Sequence, residues 1–185
     1  PHTAALNLAF GRGDEPEIVL ENLGLFAREV GIDPRSVVSR HQVHSAEVGY
    51  VDESNAGEGY YVPTGLACDG YVADKPGVAL GIKTADCVPI LFHDPVRRVI
   101  GAVHAGWRGT AAGIARICVE QMRALGSEPK NIRAAIGAAI NFCCYEVGED
   151  FCESVKALDP VRAERFIREK DGRLHADIVG MNADI

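Results

Sequence analysis

The sequence predicts an α+β fold with a mixed sheet, formed by a single domain of 185 residues. Short β-prone runs dominate the middle of the chain, and helical patterns flank them on both sides. The chain is 47% hydrophobic and 24% charged, a balance typical of one soluble domain with a buried core. Because no internal repeat, low-complexity tract or long linker interrupts the sequence, nothing in it suggests a second domain.

The elements follow in order from turn and cap signals. Pro16 predicts the first turn of a helix that ends at Gly31, with an apolar side made of Ile18, Leu23, Phe26, Ala27 and Val30. Strands are predicted over residues 37–44, 46–52, 69–74, 78–84, 88–93 and 98–104. After them, we expect a helix over 110–125, a strand over 131–140, a helix over 148–158 and the start of a last helix at the end of the chain.

Charge and hydropathy exclude two classes of partner. The net charge is −7 and no basic run stands out, so neither nucleic acid nor an anionic membrane surface is expected to bind. The longest apolar runs, such as residues 88–92, are too short to span a bilayer. The six cysteines form no Cys-x-x-Cys pair, which favours a reducing, cytoplasmic environment.

The segment CVPILFHDPVRRVIGAVH, residues 87–104, predicts a β-hairpin that turns around residues 94–97. With that turn, Cys87 pairs directly with His104 on one face of the sheet, with their β-carbons about 5 Å apart. A bulged three-residue loop would shift the register by one residue, and Pro89 fits only an edge or a bulge. In the predicted register, two metal-binding side chains meet.

A third ligand is available in RHQVHS, residues 40–45, which contains His41 and His44. Their spacing of three places them on opposite faces of a strand, so only one of them is expected to point into a given site. One cysteine with two histidines leaves the fourth tetrahedral position of zinc open, as in catalytic rather than structural sites. The alternative is that each histidine is a hydrogen-bonded structural residue.

The segment HAGWRGT, residues 104–110, leads from a strand into a helix. Thr110 is predicted to cap that helix, and Arg108 offers a fork of donors that suits phosphate or carboxylate. Trp107 presents an aromatic face to a planar group such as a nucleobase. The alternative is a tight turn in which Trp107 is core and Arg108 forms a surface ion pair. Asp86 fits equally a base, a group that orients a ligand, or a turn residue.

Several motifs together resemble the YfiH-like family, which is also called the laccase-domain or polyphenol oxidase family. They are QVHS, DGYVAD, GIKTADCVPILFHD, VHAGWRGT, IGAAINFCCYEVG and LHADIVGMNA, and the match runs from Leu6 to the end of the chain. The resemblance implies a mixed α/β sandwich related to cytotoxic deamidases, with residues 1–185 forming one domain that lacks the family's C-terminal segment. The chain departs from the family pattern at Ser45, at Ala138 and at residues 141–142.

For function, the resemblance implies a zinc-dependent enzyme that acts on purine nucleosides and phosphate. The family activities are phosphorolysis of adenosine, inosine, guanosine and methylthioadenosine, together with deamination of adenosine. Carried over motif by motif, the metal-binding and catalytic residues are His44, Cys87 and His104, which selects His44 over His41. Arg108 and Thr110 are the candidates for binding phosphate.

Three other functions compete with this interpretation. A copper-dependent polyphenol oxidase is implied by the laccase name, but six histidines without a His-x-His pair do not suit a multicopper cluster, although copper could replace zinc at one Cys/His site. A metal-free hydrolase or amidase would use Cys87 as the nucleophile and His104 as the base. A nucleoside-binding module would show saturable binding without turnover.

Overall fold

The computed structural model describes residues 6–184, and within them the chain forms nine strands and six α-helices. The helices are α1 (Pro16–Val30), α2 (Trp107–Ala111), α3 (Ile114–Ala124), α4 (Glu149–Leu158), α5 (Pro160–Phe166) and α6 (Ile178–Ala183). The strands are β1 (Val37–Val38), β2 (Val48–Tyr50), β3 (Gly70–Ala73), β4 (Ala79–Leu80), β5 (Val88–Asp94), β6 (Val99–Ala105), β7 (Arg133–Ile136), β8 (Ile167–Lys170) and β9 (Arg173–Ala176). All seven predicted strands are present, although several are shorter than expected. α5, β8 and β9 form where the sequence analysis predicts no element.

Five of the strands form one mixed sheet in the order β2-β3-β6-β5-β7. β2 and β3 are parallel, whereas the other neighbours are antiparallel. β1 and β4 form a separate parallel pair, and β8 and β9 an antiparallel one. The predicted α+β class with a mixed sheet is therefore confirmed.

The core lies on both faces of this sheet because successive residues of a strand point to opposite sides. In β3, Val72 belongs to a large apolar cluster that includes Ile114, Cys118 and Met122 of α3. Its neighbour Tyr71 belongs to a smaller cluster on the opposite face, which includes Val38 of β1. The central strands are thus covered by apolar side chains on both faces.

Helix α1 begins and ends where the sequence predicts. Pro16 is its first residue, and Gly31 follows it in the left-handed conformation with φ 75°. The predicted apolar side is only partly correct. Leu23 and Ala27 are buried together with Val19, whereas Ile18, Phe26 and Val30 are exposed.

The hairpin of β5 and β6 forms, but its predicted register is wrong by two residues. The turn occupies residues 95–98, one position later than expected, and pairs Asp94 with Val99. Arg98 closes the turn with φ 59°, while a carboxylate oxygen of Asp94 accepts the N–H groups of Val96 and Arg97. His104 therefore pairs with Pro89 rather than with Cys87.

The predicted helix over 110–125 is also wrong in its bounds, because it is two helices. α2 has only five residues, and α3 starts after Gly113, which adopts the left-handed conformation with φ 79°. Gly106 precedes the first turn, so Thr110 lies inside α2 instead of capping it. Among residues 6–184, no helix has the length and apolar character needed to cross a membrane.

Candidate metal centre and its cleft

Three predicted side chains converge at one end of the sheet. The ligand atoms of His44, Cys87 and His104 all lie within 4.8 Å of one another. His104 is the second-to-last residue of β6, Cys87 immediately precedes β5, and His44 lies on the loop before β2. His104 is buried, Cys87 is half-buried and His44 is exposed, so the cluster opens to solvent on the side of His44.

Cys87 and His104 meet even though they are not a directly opposed pair. A shift of two residues keeps every side chain on the same face, because side chains alternate with a period of two. Cys87 therefore lies diagonally across the hairpin from His104, within reach of a shared ligand. Pro89, which pairs with His104, lies just beyond the ladder between β5 and β7, which begins at Ile90.

The two glycines of AGWRG, residues 105–109, make room for the loop that carries His44. A Cβ on Gly106 would lie 2.7 Å from Cδ2 of His44 and 3.4 Å from Sγ of Cys87. A Cβ on Gly109 would lie 2.7 Å from the carbonyl oxygen of Ser45. The small residues of this motif are thus explained by the close approach of the turn into α2 to the His44 loop.

His44 itself has φ 60°, the left-handed conformation that is uncommon for a residue with a side chain. The carboxylate of Asp69 accepts the three consecutive backbone N–H groups of Val43, His44 and Ser45, at 3.1, 3.0 and 2.7 Å. The Ser45 hydroxyl donates to the same carboxylate at 2.8 Å. This network stabilises the loop in its strained conformation.

Asp69 also contacts the second histidine. It continues β3 by one residue and so lies opposite His104 of β6, whose Nδ1–H donates to Oδ1 of Asp69 at 2.8 Å. Burial lowers the pKa of His104, but the hydrogen bonds to Asp69 and Cys87 outweigh it and raise that pKa to about 9. Burial raises the pKa of Asp69, but the hydrogen bonds from His104 and Ser45 outweigh burial and hold that pKa well below its usual value.

Sequence reasoning missed Asp69, although the motif DGYVAD, residues 69–74, contains it. The signal was available, because a histidine that binds a metal through one ring nitrogen commonly donates its other N–H to a carboxylate. Finding the partner required the pairing of β3 with β6, which local pattern does not give. With Nδ1 bound to Asp69, the Nε2 atom of His104 is the nitrogen left for a ligand.

The candidate metal centre lies in an open cleft with a volume of ≈ 1010 Å³. Its lining comes from several loops and includes Phe10, Arg12, Arg40, His41, Gln42, Pro63, Lys83, Thr84 and Asp86 besides the three converging residues. Lys83 lies with Nζ 5.2 Å from the centre of the Tyr60 ring, and burial lowers its pKa. The lining thus includes His41 and Asp86, which the sequence analysis considered, and Lys83, a cation that it missed.

Arg108 and Trp107 lie at the start of α2. The ring of Trp107 is 5.1 Å from that of Phe151, and the Arg108 guanidinium stacks on it at 4.2 Å. Burial raises the pKa of Tyr145, as does the charge of Cys87, whereas the charge of Arg108 lowers it. Arg108 and Cys87 thus both lie within electrostatic range of Tyr145. The Trp107 ring packs against the apolar core, which is the structural role given above as the alternative to binding a nucleobase.

Thr110 is not brought to the cleft. It is 2% exposed, and its Oγ1 accepts a hydrogen bond from Nδ2 of Asn182 at 2.8 Å. The cluster that remains has one sulfur and two nitrogen donors, a set that suits zinc or copper and leaves coordination positions for substrate. Among the described residues this is the one group of three or more such ligands.

Comparison with known proteins identifies the family. A family model described as "Multi-copper polyphenol oxidoreductase laccase" matches residues 1–185. The crystal structure of the hypothetical protein YfiH from Bacillus licheniformis superimposes with a TM-score of 0.88 at 33% identity, covering 97% of this chain and 69% of that one.

Two curated relatives carry names of purine enzymes. The purine nucleoside phosphorylase of Deinococcus radiodurans is 39% identical over 179 residues, which is 97% of this chain and 66% of that protein. Adenosine deaminase RL5, from an unknown prokaryotic organism, is 32% identical over 184 residues, 97% of this chain and 70% of that protein. The chain thus spans about two thirds of the length of these relatives.

Proposed function

The chain belongs to the YfiH-like, laccase-domain family, and from this premise we propose that it is a zinc-dependent purine nucleoside phosphorylase. The observation that carries the proposal is the convergence of His44, Cys87 and His104 in an open cleft. At ≈ 1010 Å³ the cleft is large enough for a nucleoside together with phosphate. The proposed substrates are adenosine, inosine, guanosine and methylthioadenosine, and no nucleic acid or membrane partner is proposed.

His44, Cys87 and His104 are the residues proposed to hold the metal. When bound there, zinc supplies Lewis-acid polarisation of an oxygen atom. Copper suits the same three donors, so the metal of the isolated protein distinguishes the two. The one three-residue group found within residues 6–184 does not support multicopper phenol oxidation, which needs several copper ions held by many imidazoles.

The reaction joins phosphate to C1′ of the ribose and breaks the bond from C1′ to the purine. Its products are ribose 1-phosphate and the free base, which takes up a proton. The protein has to hold phosphate in line with that bond, which supplies proximity and charge stabilisation. Arg108 is the proposed phosphate ligand. Arg108 is exposed beside Trp107 and does not itself line the cleft, whereas Lys83 does and is the second candidate for binding phosphate. Thr110 is withdrawn from this role because its hydroxyl is bonded to Asn182.

Adenosine deamination is the second candidate, and the similarity to adenosine deaminase RL5 favours it. This reaction consumes water and releases ammonia and inosine, so it needs no phosphate. Asp86, which lines the cleft next to Cys87, is the carboxylate proposed to accept a proton from water.

A metal-free hydrolase is the alternative that needs no zinc. Cys87, His104 and Asp69 would form its nucleophile, base and orienting acid. The position of His44 favours the metal site, because a Cys-His-Asp triad needs only one imidazole, whereas His44 places a second within 4.8 Å of Cys87 and His104. For location we propose the cytoplasm, supported by six cysteines that are all free thiols.

The test is phosphate-dependent release of hypoxanthine from inosine by the zinc-loaded protein, measured beside Cys87→Ala. Release that requires phosphate and is lost in the variant is the expected result. Ammonia release from adenosine without phosphate would instead identify the deaminase. Activity that survives chelation and is abolished by thiol alkylation of the metal-free protein would identify the hydrolase. Saturable nucleoside binding without any product would identify a binding module.

A further inference from the structure

We propose that Asp69 is the positioning residue of the metal centre, because one buried carboxylate fixes both histidine ligands at once. The inference rests on the proposed metal site at His44, Cys87 and His104. Asp69 is 0% exposed, and every hydrogen bond described above for its side chain comes from a histidine ligand or from the loop that carries one.

A single oxygen atom links the two histidines. Oδ1 of Asp69 accepts the backbone N–H of His44 at 3.0 Å and the Nδ1–H of His104 at 2.8 Å. The first bond fixes where the His44 side chain leaves the backbone, and the second fixes the ring orientation and tautomer of His104. The centres of the two imidazole rings lie 4.8 Å apart, and the ring planes meet at 83°. Because both residues bond to Oδ1 of Asp69, this atom helps to set that arrangement.

The other oxygen holds the loop. Oδ2 accepts the N–H groups of Val43 and Ser45 at 3.1 and 2.7 Å and the Ser45 hydroxyl at 2.8 Å. A left-handed residue with a side chain costs of order 1–2 kcal/mol and persists only where its surroundings enforce it. Asp69 supplies that enforcement at His44.

An amide cannot replace this carboxylate, because both carboxylate oxygens of Asp69 accept hydrogen bonds and an amide has only one oxygen. If the side-chain oxygen of an asparagine faced His104, its NH₂ group would face the N–H donors of Val43 and Ser45 and release the loop. If the NH₂ group faced His104 instead, Nδ1 would have to accept, which moves the ring proton to Nε2 and blocks that nitrogen as a ligand. Asp69→Asn therefore breaks one of the two links in either orientation.

Asp94 provides a matched control. It is also an aspartate with 0% exposure that accepts two backbone N–H groups, but it does so in the turn of the β5–β6 hairpin. Loss of its charge should affect folding stability as Asp69→Asn does, without affecting the metal centre.

The test measures the zinc dissociation constant by competition with a chromophoric chelator, and the absorption spectrum of the cobalt-substituted protein, for wild type, Asp69→Asn and Asp94→Asn. We expect Asp69→Asn to weaken zinc binding about 10- to 100-fold and to change the cobalt spectrum, since this is the usual effect of losing such a partner. Asp94→Asn should match the wild type in both measurements. Wild-type affinity and an unchanged cobalt spectrum in Asp69→Asn would overturn the proposal.

Ser45→Ala keeps the test decisive if Asp69→Asn does not fold. It removes one bond to Oδ2 and should weaken zinc binding about twofold to tenfold. An unchanged zinc affinity in this variant would then overturn the proposal. The readout is metal binding, so it is independent of the reaction. Zinc binding that depends on Asp69, in a protein that releases no purine, would refute the phosphorylase and leave this inference standing.

Discussion

Gly106 packs against His44 so closely that a β-carbon added to it would lie 2.7 Å from the ring atom Cδ2. The backbone of Gly106, with φ −68° and ψ 169°, is accessible to any residue, so space rather than conformation requires glycine here. Gly106→Ala should therefore displace His44 and weaken zinc binding, at a cost of about 1–3 kcal/mol for the overpacking. Titration with a competing chelator measures the change.

Gly24→Ala is the matched control for this substitution. Gly24 lies inside α1, and an added β-carbon there meets nothing within 4 Å. This variant should bind zinc as the wild type does and should be more stable by up to about 1 kcal/mol, because alanine favours a helix. Equal zinc affinity in both variants would show that the turn does not constrain His44.

Arg108→Ala should raise the KM for phosphate about tenfold or more while changing the KM for inosine less. The reason is the loss of charge-assisted hydrogen bonds to the anion. Arg116→Ala, at an exposed arginine of α3, is the control and should leave both constants unchanged. If Lys83→Ala raises the KM for phosphate and Arg108→Ala does not, phosphate binds beside Lys83 in the cleft and the role of Arg108 is wrong.

Arg98→Gly should stabilise the protein by about 0.5–1 kcal/mol. Arg98 holds φ 59° in the hairpin turn, a conformation that glycine adopts without strain, and this gain exceeds the entropy that glycine costs. Arg97→Gly, one residue earlier, should be destabilising because it adds flexibility without relieving strain. Urea unfolding compares the two, and equal losses of stability would contradict the register described for this hairpin.

Glu58→Gln tests the ion pair that supports one wall of the cleft. Nε of Arg40 lies 2.7 Å from Oε2 of Glu58, and Asn55 donates to Oε1. Burial raises the pKa of Glu58, but the hydrogen bonds from Arg40 and Asn55 lower it by more, so the pKa lies below its usual value. A carboxyl group whose pKa is lower in the folded than in the unfolded protein stabilises the fold at pH values above its unfolded-state pKa. That stability is lost as the pH falls through the folded-state pKa.

The substitution should accordingly cost about 1–3 kcal/mol at neutral pH, and the difference from wild type should shrink on acidification through the range where Glu58 protonates. Unfolding free energies measured from neutral to acidic pH give this difference. Glu120→Gln, at an exposed position of α3, should change the stability at neutral pH by less than about 0.5 kcal/mol. A cost that stays constant with pH would mean that Glu58 does not act through its charge.

Local sequence pattern predicts the face of a strand on which a side chain lies better than it predicts the register between strands. The period of two in β5 and β6 was enough to place Cys87 and His104 on one face, and it tolerated an error of two residues in the register. The position of the turn was harder to predict, because Asp94-Pro95 suits more than one loop and the left-handed residue is Arg98 rather than a glycine.

Contacts distant in sequence account for the rest. Asp69 reaches His104 through the pairing of β3 and β6, and Lys83 enters the cleft through a loop that no motif assigned to binding. The break at Gly113 was not predicted because Thr110 suits the cap of one helix, whereas Gly106 precedes the first turn of α2 and Gly113 adopts the left-handed conformation. His44 was selected over His41 by family resemblance alone, and its left-handed backbone explains why strand spacing could not decide between them.

The zinc content of the purified protein, compared with that of His44→Ala, Cys87→Ala and His104→Ala, tests the proposed metal site most directly. We expect one zinc ion per chain in the wild type and a loss of bound metal in each variant, with circular dichroism showing that the fold is retained. A folded wild-type protein that binds no metal, or a Cys87→Ala variant that retains a full equivalent, would contradict the proposed site.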